Sequence, residues 1–274
     1  MISSVVIGDP IEHSLSPLFH SAGYKALGIE KEYSFSASRV TPEELKDFFL
    51  CIRKENVRGI SVTIPHKTSV ISYLDVIDPV AKQIGAINTV VNDGKVLTGY
   101  NTDVYGVVAP LEKITSIAGK SVAILGAGGA ARAAAFGLKS KGAQVAIFNR
   151  TKERAEILAS ELDVLCDTLK QTEKIRACDI LINSTSVGMT PQVATSPVPN
   201  SAFRKDQIVF DLVYRPLKTK FLQEAEKAGA RTISGTQMFV HQGSMQFELY
   251  VSRKAPLAQM ERALLDYLTN LDDR

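Results

Sequence analysis

A glycine cluster near the middle of the chain has the spacing of a phosphate-binding turn. It follows the apolar run Ser121–Leu125, precedes a helix-forming segment and fits the pattern G-x-G-x-x-A. The first glycine permits a tight turn, the second lets the backbone approach a pyrophosphate, and the helix N-terminus attracts negative charge. A tight turn without a ligand is the alternative, but the flanking strand and helix favour a dinucleotide site. The residues predicted to hold the dinucleotide here are Gly126, Ala127, Gly128, Gly129 and Ala130.

The next predicted strand ends in residues that distinguish two dinucleotides. About 20 residues after the first glycine, a site for NAD usually carries a carboxylate that binds the ribose 2′-hydroxyl. This sequence instead has Asn149, Arg150 and Thr151, with Arg154 close behind. Guanidinium groups bind a 2′-phosphate strongly, whereas cations near a helix N-terminus oppose the helix dipole unless an anion is bound. NADP is therefore predicted over NAD. The alternative is that these cations only line a solvated helix start.

The elements that must position these residues follow from an alternation of short apolar runs and helical periodicity. This pattern is typical of an α/β fold with largely parallel sheets. In the second part of the chain, six strands match a doubly wound, Rossmann-type sheet: Ser121–Leu125, Gln144–Phe148, Asp163–Cys166, Ile180–Asn183, Ile208–Asp211 and Arg231–Ile233. The strands predicted in the first part are Ser4–Ile7, Tyr33–Ala37, Gly59–Thr63, Ile87–Val91 and Val96–Gly99. Two helices, Met238–Val251 and Leu257–Leu268, are predicted to close the chain.

Composition and charge exclude several classes of protein. Apolar residues make up 45% of the chain and charged residues 22%, with a net charge of +3 from interspersed residues, so no nucleic-acid-binding face is expected. No apolar stretch is long enough to cross a bilayer, and the N-terminus lacks the pattern of a signal peptide. The three cysteines and four histidines have no ligand-like spacing, which predicts free thiols and no metal. A cytoplasmic protein without a membrane or nucleic-acid partner is expected.

A series of spaced motifs resembles the shikimate dehydrogenase family over almost the whole chain. The motifs are HSLSP, SVTIPHK, GAINT, GYNTD, GAGGAAR, FNRT, NSTSVGM, VFDLVY and GTQMFVHQG. In its second half, the chain looks closest to the shikimate dehydrogenase part of fusions with dehydroquinate dehydratase. The resemblance implies NADPH-dependent, reversible reduction of 3-dehydroshikimate to shikimate, a step in the biosynthesis of chorismate and the aromatic amino acids. It also implies a substrate-binding domain (residues 1–104, with 238–274 packing back onto it) and an NADP-binding Rossmann domain (residues 105–237), with the active site in the cleft between them.

The resemblance also assigns roles to single residues. It makes Lys67 and Asp103 the catalytic pair, because an ammonium and a carboxylate can hydrogen-bond one hydroxyl and relay its proton during hydride transfer. The same two residues could instead be a solvated surface charge and a helix cap. Substrate contacts are implied for Ser14, Ser16, Ser61, Thr63, Asn88, Tyr214 and Gln242, and further cofactor contacts for Leu212, Gly235 and Met238. Ser14 and Ser16 form a neutral hydroxyl socket for a carboxylate near a helix N-terminus, although Ser16 is also a good N-cap before Pro17.

One position departs from the family pattern. The family usually has asparagine where this chain has Ser61, and a hydroxyl has a shorter reach than an amide. We therefore expect a water-bridged or shifted contact between Ser61 and the substrate. If a hydrogen bond to a neutral group is lost, the cost is about 0.5–1.5 kcal/mol.

Three alternatives stay open at this point. A quinate/shikimate dehydrogenase would share most motifs and differ in a few polar contacts. A non-catalytic NADP- or shikimate-binding regulator on the same scaffold should have lost Lys67 or Asp103, and both are present. A protein like glutamyl-tRNA reductase would share the cofactor motifs but not HSLSP and SVTIPHK. A monomer and a homodimer are equally compatible with the sequence.

Overall fold

The computed structural model describes residues 1–272, which form two compact α/β units, each with a six-stranded sheet. The first unit comprises Met1–Thr102 and Gln242–Tyr267. The second comprises Asp103–His241 and the described chain from Leu268 onward. No helix within residues 1–272 has both the length and the apolar character required to cross a membrane.

The sheet of the first unit is mixed, with strand order β2-β1-β3-β5-β6-β4. Its strands are β1 (Ile2–Gly8), β2 (Tyr33–Arg39), β3 (Val57–Val62), β4 (Val76–Ile77), β5 (Thr89–Asp93) and β6 (Val96–Tyr100). Strands β1, β2 and β3 are mutually parallel, whereas β5 runs antiparallel to both β3 and β6. Because of this reversal, the start of β5 lies beside the end of β3.

The helices of the first unit cover the sheet. They are α1 (Ser16–Ala26), α2 (Leu45–Ile52) and α3 (Pro79–Ile84). One core cluster packs strand residues such as Ile7 and Ile60 against Leu45 and Phe49 of α2, all of them buried. The apolar residues of α2 recur at helical spacing, so one face of the helix packs on the sheet.

The second unit holds a fully parallel sheet with strand order β12-β11-β10-β7-β8-β9. Its strands are β7 (Ser121–Leu125), β8 (Gln144–Asn149), β9 (Leu165–Thr168), β10 (Ile180–Asn183), β11 (Ile208–Asp211) and β12 (Arg231–Ile233). This is the doubly wound dinucleotide-binding order, and its connectivity reverses between β7 and β10. The Rossmann-type sheet predicted from the sequence is confirmed.

Helices cover both faces of this parallel sheet. They are α4 (Asp103–Glu112), α5 (Gly129–Ser140), α6 (Lys152–Leu162), α7 (Thr172–Ala177) and α8 (Lys220–Lys227). Alternate residues of β7 enter two different core clusters, Val122 and Ile124 in one and Ala123 and Leu125 in the other. Burial on both faces explains why β7 reads as a continuous apolar run. Two long helices, α9 (Gly235–Val251) and α10 (Leu257–Asp272), end the chain.

Three predicted strands are displaced in the structure. The strand expected at Gly59–Thr63 is β3, which begins at Val57 and ends at Val62, before Thr63. β9 was expected at Asp163–Cys166 but begins at Leu165, because Asp163 has a left-handed backbone (φ 50°) and ends α6. The strand expected at Ile87–Val91 begins at Thr89. Ile87 instead hydrogen-bonds the backbone of the loop after β3.

Candidate functional site

The end of β3 and the start of β5 bring two predicted substrate residues to one edge of the first sheet. The Val62 N–H donates to the carbonyl oxygen of Asn88 (2.8 Å), and the Thr63 N–H donates to that of Ile7 (3.0 Å). Thr63 and Asn88 therefore sit where β1, β3 and β5 meet. This is the edge at which parallel strands present their carboxyl ends, as in other ligand-binding α/β sheets.

Lys67 follows on the loop after β3, and its neighbour fixes that loop. The buried His66 ring bonds the Val40 carbonyl through Nε2 (2.6 Å). The carbonyl of Lys67 accepts a hydrogen bond from the Ile87 N–H (2.7 Å). Anchoring His66 in the interior holds the backbone of Lys67, whose side chain is half-buried.

Ser14 and Ser16 lie at the start of α1, but neither is its N-cap residue. Leu15 is the N-cap residue, Ser16 is the first helical residue, and no side chain caps the helix. The interpretation of Ser16 as the N-cap is therefore wrong. The N-cap is Leu15, and Ser16 already lies within the helix. The Ser14 Oγ instead accepts a long hydrogen bond from the Ser16 N–H (3.4 Å).

Asn88 has an amide whose orientation is fixed by threonines. Its Oδ1 accepts hydrogen bonds from the Thr102 N–H (2.7 Å) and the Thr89 hydroxyl (2.8 Å). Its Nδ2 donates to the Thr102 Oγ1 (2.9 Å) and, at 3.4 Å, to the Oε1 of Gln242. The two amides predicted to bind substrate hydroxyls, Asn88 and Gln242, are thus brought together within the first unit.

Ser61 is the residue that departs from the family pattern, and its side chain lies inside the first unit. It is 3% exposed. Its hydroxyl lies 3.0 Å from the Oε1 of Gln246 and 3.0 Å from the hydroxyl of Tyr250, both on α9. The single hydroxyl proton of Ser61 is therefore used within the protein.

Asp103 begins α4, the first helix of the second unit, and is 2% exposed. A carboxylate in the first turn of a helix is stabilised by the helix dipole. Asp103 is thus a buried acid in the first turn of a helix.

The glycine turn has the conformation that a dinucleotide requires. Gly126 has φ +111°, and a Cβ there would lie 2.8 Å from the Ser184 Oγ. Gly128, the N-cap of α5, is exposed, and no atom lies within 4 Å of where its Cβ would be. Ala131 is fully buried, so the helix packs closely on the sheet. The open backbone at Gly128 and the free N-terminus of α5 fit a pyrophosphate.

The end of β8 presents the predicted phosphate-binding cations to solvent. Arg150, Thr151 and Arg154 are exposed at the start of α6, and the Asn149 Nδ2 donates to the Thr151 carbonyl (2.8 Å). Among the described residues, no carboxylate pairs with Arg150 or Arg154, although Lys152 pairs with Glu156 (3.2 Å). Two exposed guanidinium groups and a helix N-terminus fit a 2′-phosphate better than a 2′-hydroxyl.

A buried carboxylate that the sequence analysis missed lies at the end of β11. Asp211 is fully buried and accepts hydrogen bonds from the Asn183 Nδ2 (2.9 Å), the Val213 N–H (3.0 Å) and the Thr219 hydroxyl (2.5 Å). Burial raises the pKa of Asp211 to about 7, although these three hydrogen bonds oppose the shift. Asp211 thus ties together the loops after β10 and β11. A polar residue inside the apolar run Val209–Tyr214 was the available signal.

The remaining predicted residues of the second unit have clear packing roles. Gly235 lies so close to the Val213 carbonyl that a Cβ there would overlap it. Met238 belongs to the hydrophobic core. The Tyr214 ring packs on Phe239 with centroids 4.9 Å apart, and burial raises its pKa. Leu212 packs at the margin of the same core as Met238. Packing alone therefore accounts for Gly235 and Met238.

Comparison with known proteins agrees with this arrangement. The profile of the shikimate dehydrogenase substrate-binding domain matches residues 6–90, that of shikimate/quinate 5-dehydrogenase residues 110–219, and that of the shikimate 5′-dehydrogenase C-terminal domain residues 235–265. The chain is 44% identical over 271 residues to a shikimate dehydrogenase (NADP⁺) of Moorella thermoacetica, covering 94% of this chain and 91% of that protein.

Two solved structures are similar throughout. Shikimate 5-dehydrogenase of Thermus thermophilus, in complex with NADP(H) and shikimate, has a TM-score of 0.90 at 36% identity, covering 97% of this chain and 99% of that one. Quinate dehydrogenase of Corynebacterium glutamicum, in complex with NAD, has a TM-score of 0.88 at 30% identity over the same shares. Sequence identity at this level over nearly the full length, together with both sheets and the glycine turn, shows that the chain belongs to the shikimate dehydrogenase family.

Proposed function

We propose that this protein is an NADP-dependent shikimate dehydrogenase, which interconverts 3-dehydroshikimate and shikimate. The observation that carries the proposal is the 44% identity to a shikimate dehydrogenase (NADP⁺) over 94% of the chain. The first unit is the substrate-binding domain and the second is the NADP-binding domain. Three free cysteines support a place in the reducing cytoplasm.

The edge of the first sheet supplies the groups that shikimate requires. The hydroxyls of Ser14 and Ser16 bind the carboxylate near the start of α1. Thr63, Asn88 and Gln242 hydrogen-bond the ring hydroxyls. Asn88 and Gln242 are held 3.4 Å apart through their side chains, so they present a preformed pair of amides.

NADPH, when bound, supplies the hydride. The turn from Gly126 to Ala130 holds its pyrophosphate, and Arg150, Thr151 and Arg154 hold its 2′-phosphate. Leu212 and Tyr214 lie on the loop that Asp211 anchors, at the carboxyl edge where doubly wound sheets bind their ligands. Lys67 and Asp103 act on the C3 oxygen, and between them they deliver or remove its proton.

Replacing Lys67 with alanine tests the acid–base assignment. Because the ammonium stabilises charge on the reacting oxygen and takes part in proton transfer, we expect turnover to fall by roughly 10²–10⁴-fold. Lys82→Ala, an exposed lysine on α3, is the matched control and should keep full turnover. Near-normal turnover of the Lys67 variant would exclude it from catalysis.

The first experiment follows nicotinamide absorbance with shikimate and quinate, each offered with NADP⁺ and with NAD⁺. Reduction that is fast only with shikimate and NADP⁺ supports the proposal. Fast reduction with quinate, or with NAD⁺, would favour a quinate/shikimate dehydrogenase, and the structure is also similar to that of a quinate dehydrogenase. Cofactor binding without turnover in any combination would favour a non-catalytic regulator and overturn the proposal.

A further inference from the structure

A buried polar cluster lies directly behind Asn88 in the first unit. It consists of Ser61, Asn88, Thr89, Thr102, Gln246 and Tyr250, hereafter the Gln246 cluster. Each of these six residues is at most 4% exposed to solvent. Buried polar groups cost stability unless they are hydrogen-bonded, and a fully bonded network fixes the rotamers of its members.

Gln246 is the centre of this cluster because its amide bonds on both sides. Its Oε1 accepts from the Ser61 hydroxyl (3.0 Å). Its Nε2 donates to the Asn88 carbonyl (3.1 Å) and to the Thr89 Oγ1 (3.0 Å). The Tyr250 hydroxyl lies 3.0 Å from that of Ser61 and completes this side of the cluster. If the Gln246 amide were reversed, its oxygen would face the Asn88 carbonyl, and two acceptors would meet.

The orientation of the Gln246 amide also determines that of the Asn88 side chain, because Thr89 hydrogen-bonds both. Thr89 Oγ1 accepts from Gln246, so its own proton is available for the Oδ1 of Asn88 (2.8 Å). The Oδ1 of Asn88 accepts this bond and one from the Thr102 N–H (2.7 Å), so its Nδ2 is turned towards the Thr102 Oγ1 (2.9 Å) and the Gln242 Oε1 (3.4 Å). The orientation of one buried amide thus sets the orientation of another.

We propose that Gln246 is a positioning residue, which holds Asn88 in the rotamer that binds shikimate, and that Ser61 orients Gln246. The proposal rests on the role of Asn88 in the proposed function. It assigns Ser61 an internal task in place of the substrate contact expected from the family pattern. Gln246 lies four residues after Gln242 on α9, so one helix face carries both a substrate-facing amide and the amide behind it.

The decisive variant is Gln246→Met, which keeps the length of the side chain and removes its hydrogen bonds. We expect the KM for shikimate to rise about tenfold, since freeing the Asn88 rotamer costs on the order of one hydrogen bond. The KM for NADP⁺ should stay unchanged, which general loss of structure would not allow. Gln259→Met, the same change at an exposed position of α10, is the matched control and should leave both KM values unaltered.

Two double-variant cycles separate positioning from direct contact. In an Asn88→Ala background, Gln246→Met should no longer raise the KM for shikimate, because there is no amide left to position. In a Gln246→Met background, Ser61→Ala should likewise add nothing. An undiminished effect in either background would overturn the proposal, as would a Gln246→Met enzyme with normal KM for shikimate.

The milder Ser61→Ala variant provides the same test if Gln246→Met fails to fold. It leaves Gln246 and its hydrogen bond with His20 in place but removes the bond from Ser61 to its Oε1, so we expect a two- to fivefold rise in the KM for shikimate. Rescue by Ser61→Thr, which keeps the hydroxyl, should follow. The role of Asn88 is tested separately, because an Asn88→Ala enzyme with normal KM for shikimate would disprove that role before any cycle is measured.

Discussion

At the scale of single residues, the structure shows that side chains predicted from separate motifs hold one another in place. Asn88 is oriented by two threonines, and the backbone of Lys67 is tied to Ile87. The motifs therefore identified these residues, but which motif residues would bond to one another, and their bonds to Gln246 outside any motif, were not predictable. The Ser61–Gln246 bond joins positions 185 residues apart, a separation at which local periodicity carries no information.

Asp211 gives a prediction of pH dependence at this scale. Its pKa is about 7 in the folded protein and 3.8 in a model peptide, so the folded state holds the proton more tightly. Its contribution to stability is fully present below pH 3.8 and is lost as the pH rises towards 7. We expect Asp211→Asn to remove this pH dependence. Between about pH 4 and pH 6, the free energy of unfolding of the variant should therefore rise by roughly 2 kcal/mol relative to that of the wild type.

Urea unfolding at several pH values, with hydrogen exchange of β11 as a local probe, measures this difference. Asp206→Asn, at an exposed aspartate of the same unit, is the control and should leave the slope unchanged. A wild-type slope in the Asp211→Asn variant would show that Asp211 stays ionised throughout this range.

At the scale of elements, the sequence was most informative where a strand is buried on both faces. The bounds of β7, β10 and β11 were predicted without error, because each is an apolar run followed by polar or turn residues. Strand direction was not predictable in the first unit, since the alternation of apolar residues is the same for parallel and antiparallel pairing. The position of Asn88 depends on the antiparallel direction of β5, which therefore became known only from the structure.

The start of α6 carries the prediction that belongs to this scale. If Arg150 and Arg154 bind the 2′-phosphate, replacing either with glutamine should raise the KM for NADP⁺ about 10–100-fold through loss of a charge-assisted hydrogen bond. The KM for NAD⁺ should change little, because that cofactor lacks the phosphate.

Steady-state kinetics with both cofactors make this measurement. Arg231→Gln, at the start of β12 on the opposite edge of the sheet, is the control. Equal effects on NADP⁺ and NAD⁺ would mean that the two arginines act on general cofactor binding rather than on the phosphate.

At the scale of the whole molecule, each unit contains a buried titratable group with a strongly shifted pKa, and the two respond to pH with opposite sign. In the first unit, burial lowers the pKa of His20 to about 3, although a hydrogen bond with Gln246 opposes the shift. Its ring stacks on Phe35 with centroids 4.2 Å apart. In the unfolded chain, His20 binds a proton below its ordinary pKa of 6.5, so acid favours unfolding of the first unit. Acid has the opposite effect in the second unit, where the folded state binds the proton of Asp211 more tightly than the unfolded chain does.

His20→Phe should therefore make the first unit more resistant to acid. The variant keeps an aromatic ring for stacking but has no group that binds a proton. Between pH 7 and about pH 4 the wild type should lose roughly 3 kcal/mol of unfolding free energy through His20, and we expect this loss to be absent in the variant. Hydrogen exchange of α1 and β2 across this range is the measurement, with His13→Phe at an exposed histidine as control. Acid sensitivity equal to that of the wild type would contradict the prediction.

The internal use of Ser61 has a consequence for how this chain can diverge from its relatives. An asparagine at position 61, the residue usual in the family, would place an amide where a small hydroxyl now fits between Gln246 and Tyr250. Since the surrounding cluster is closed to solvent, that exchange is expected to be harmful alone and tolerated only with a smaller residue at position 246. Positions 61 and 246 thus form an epistatic pair, and evolutionary drift at either one is constrained by the residue present at the other.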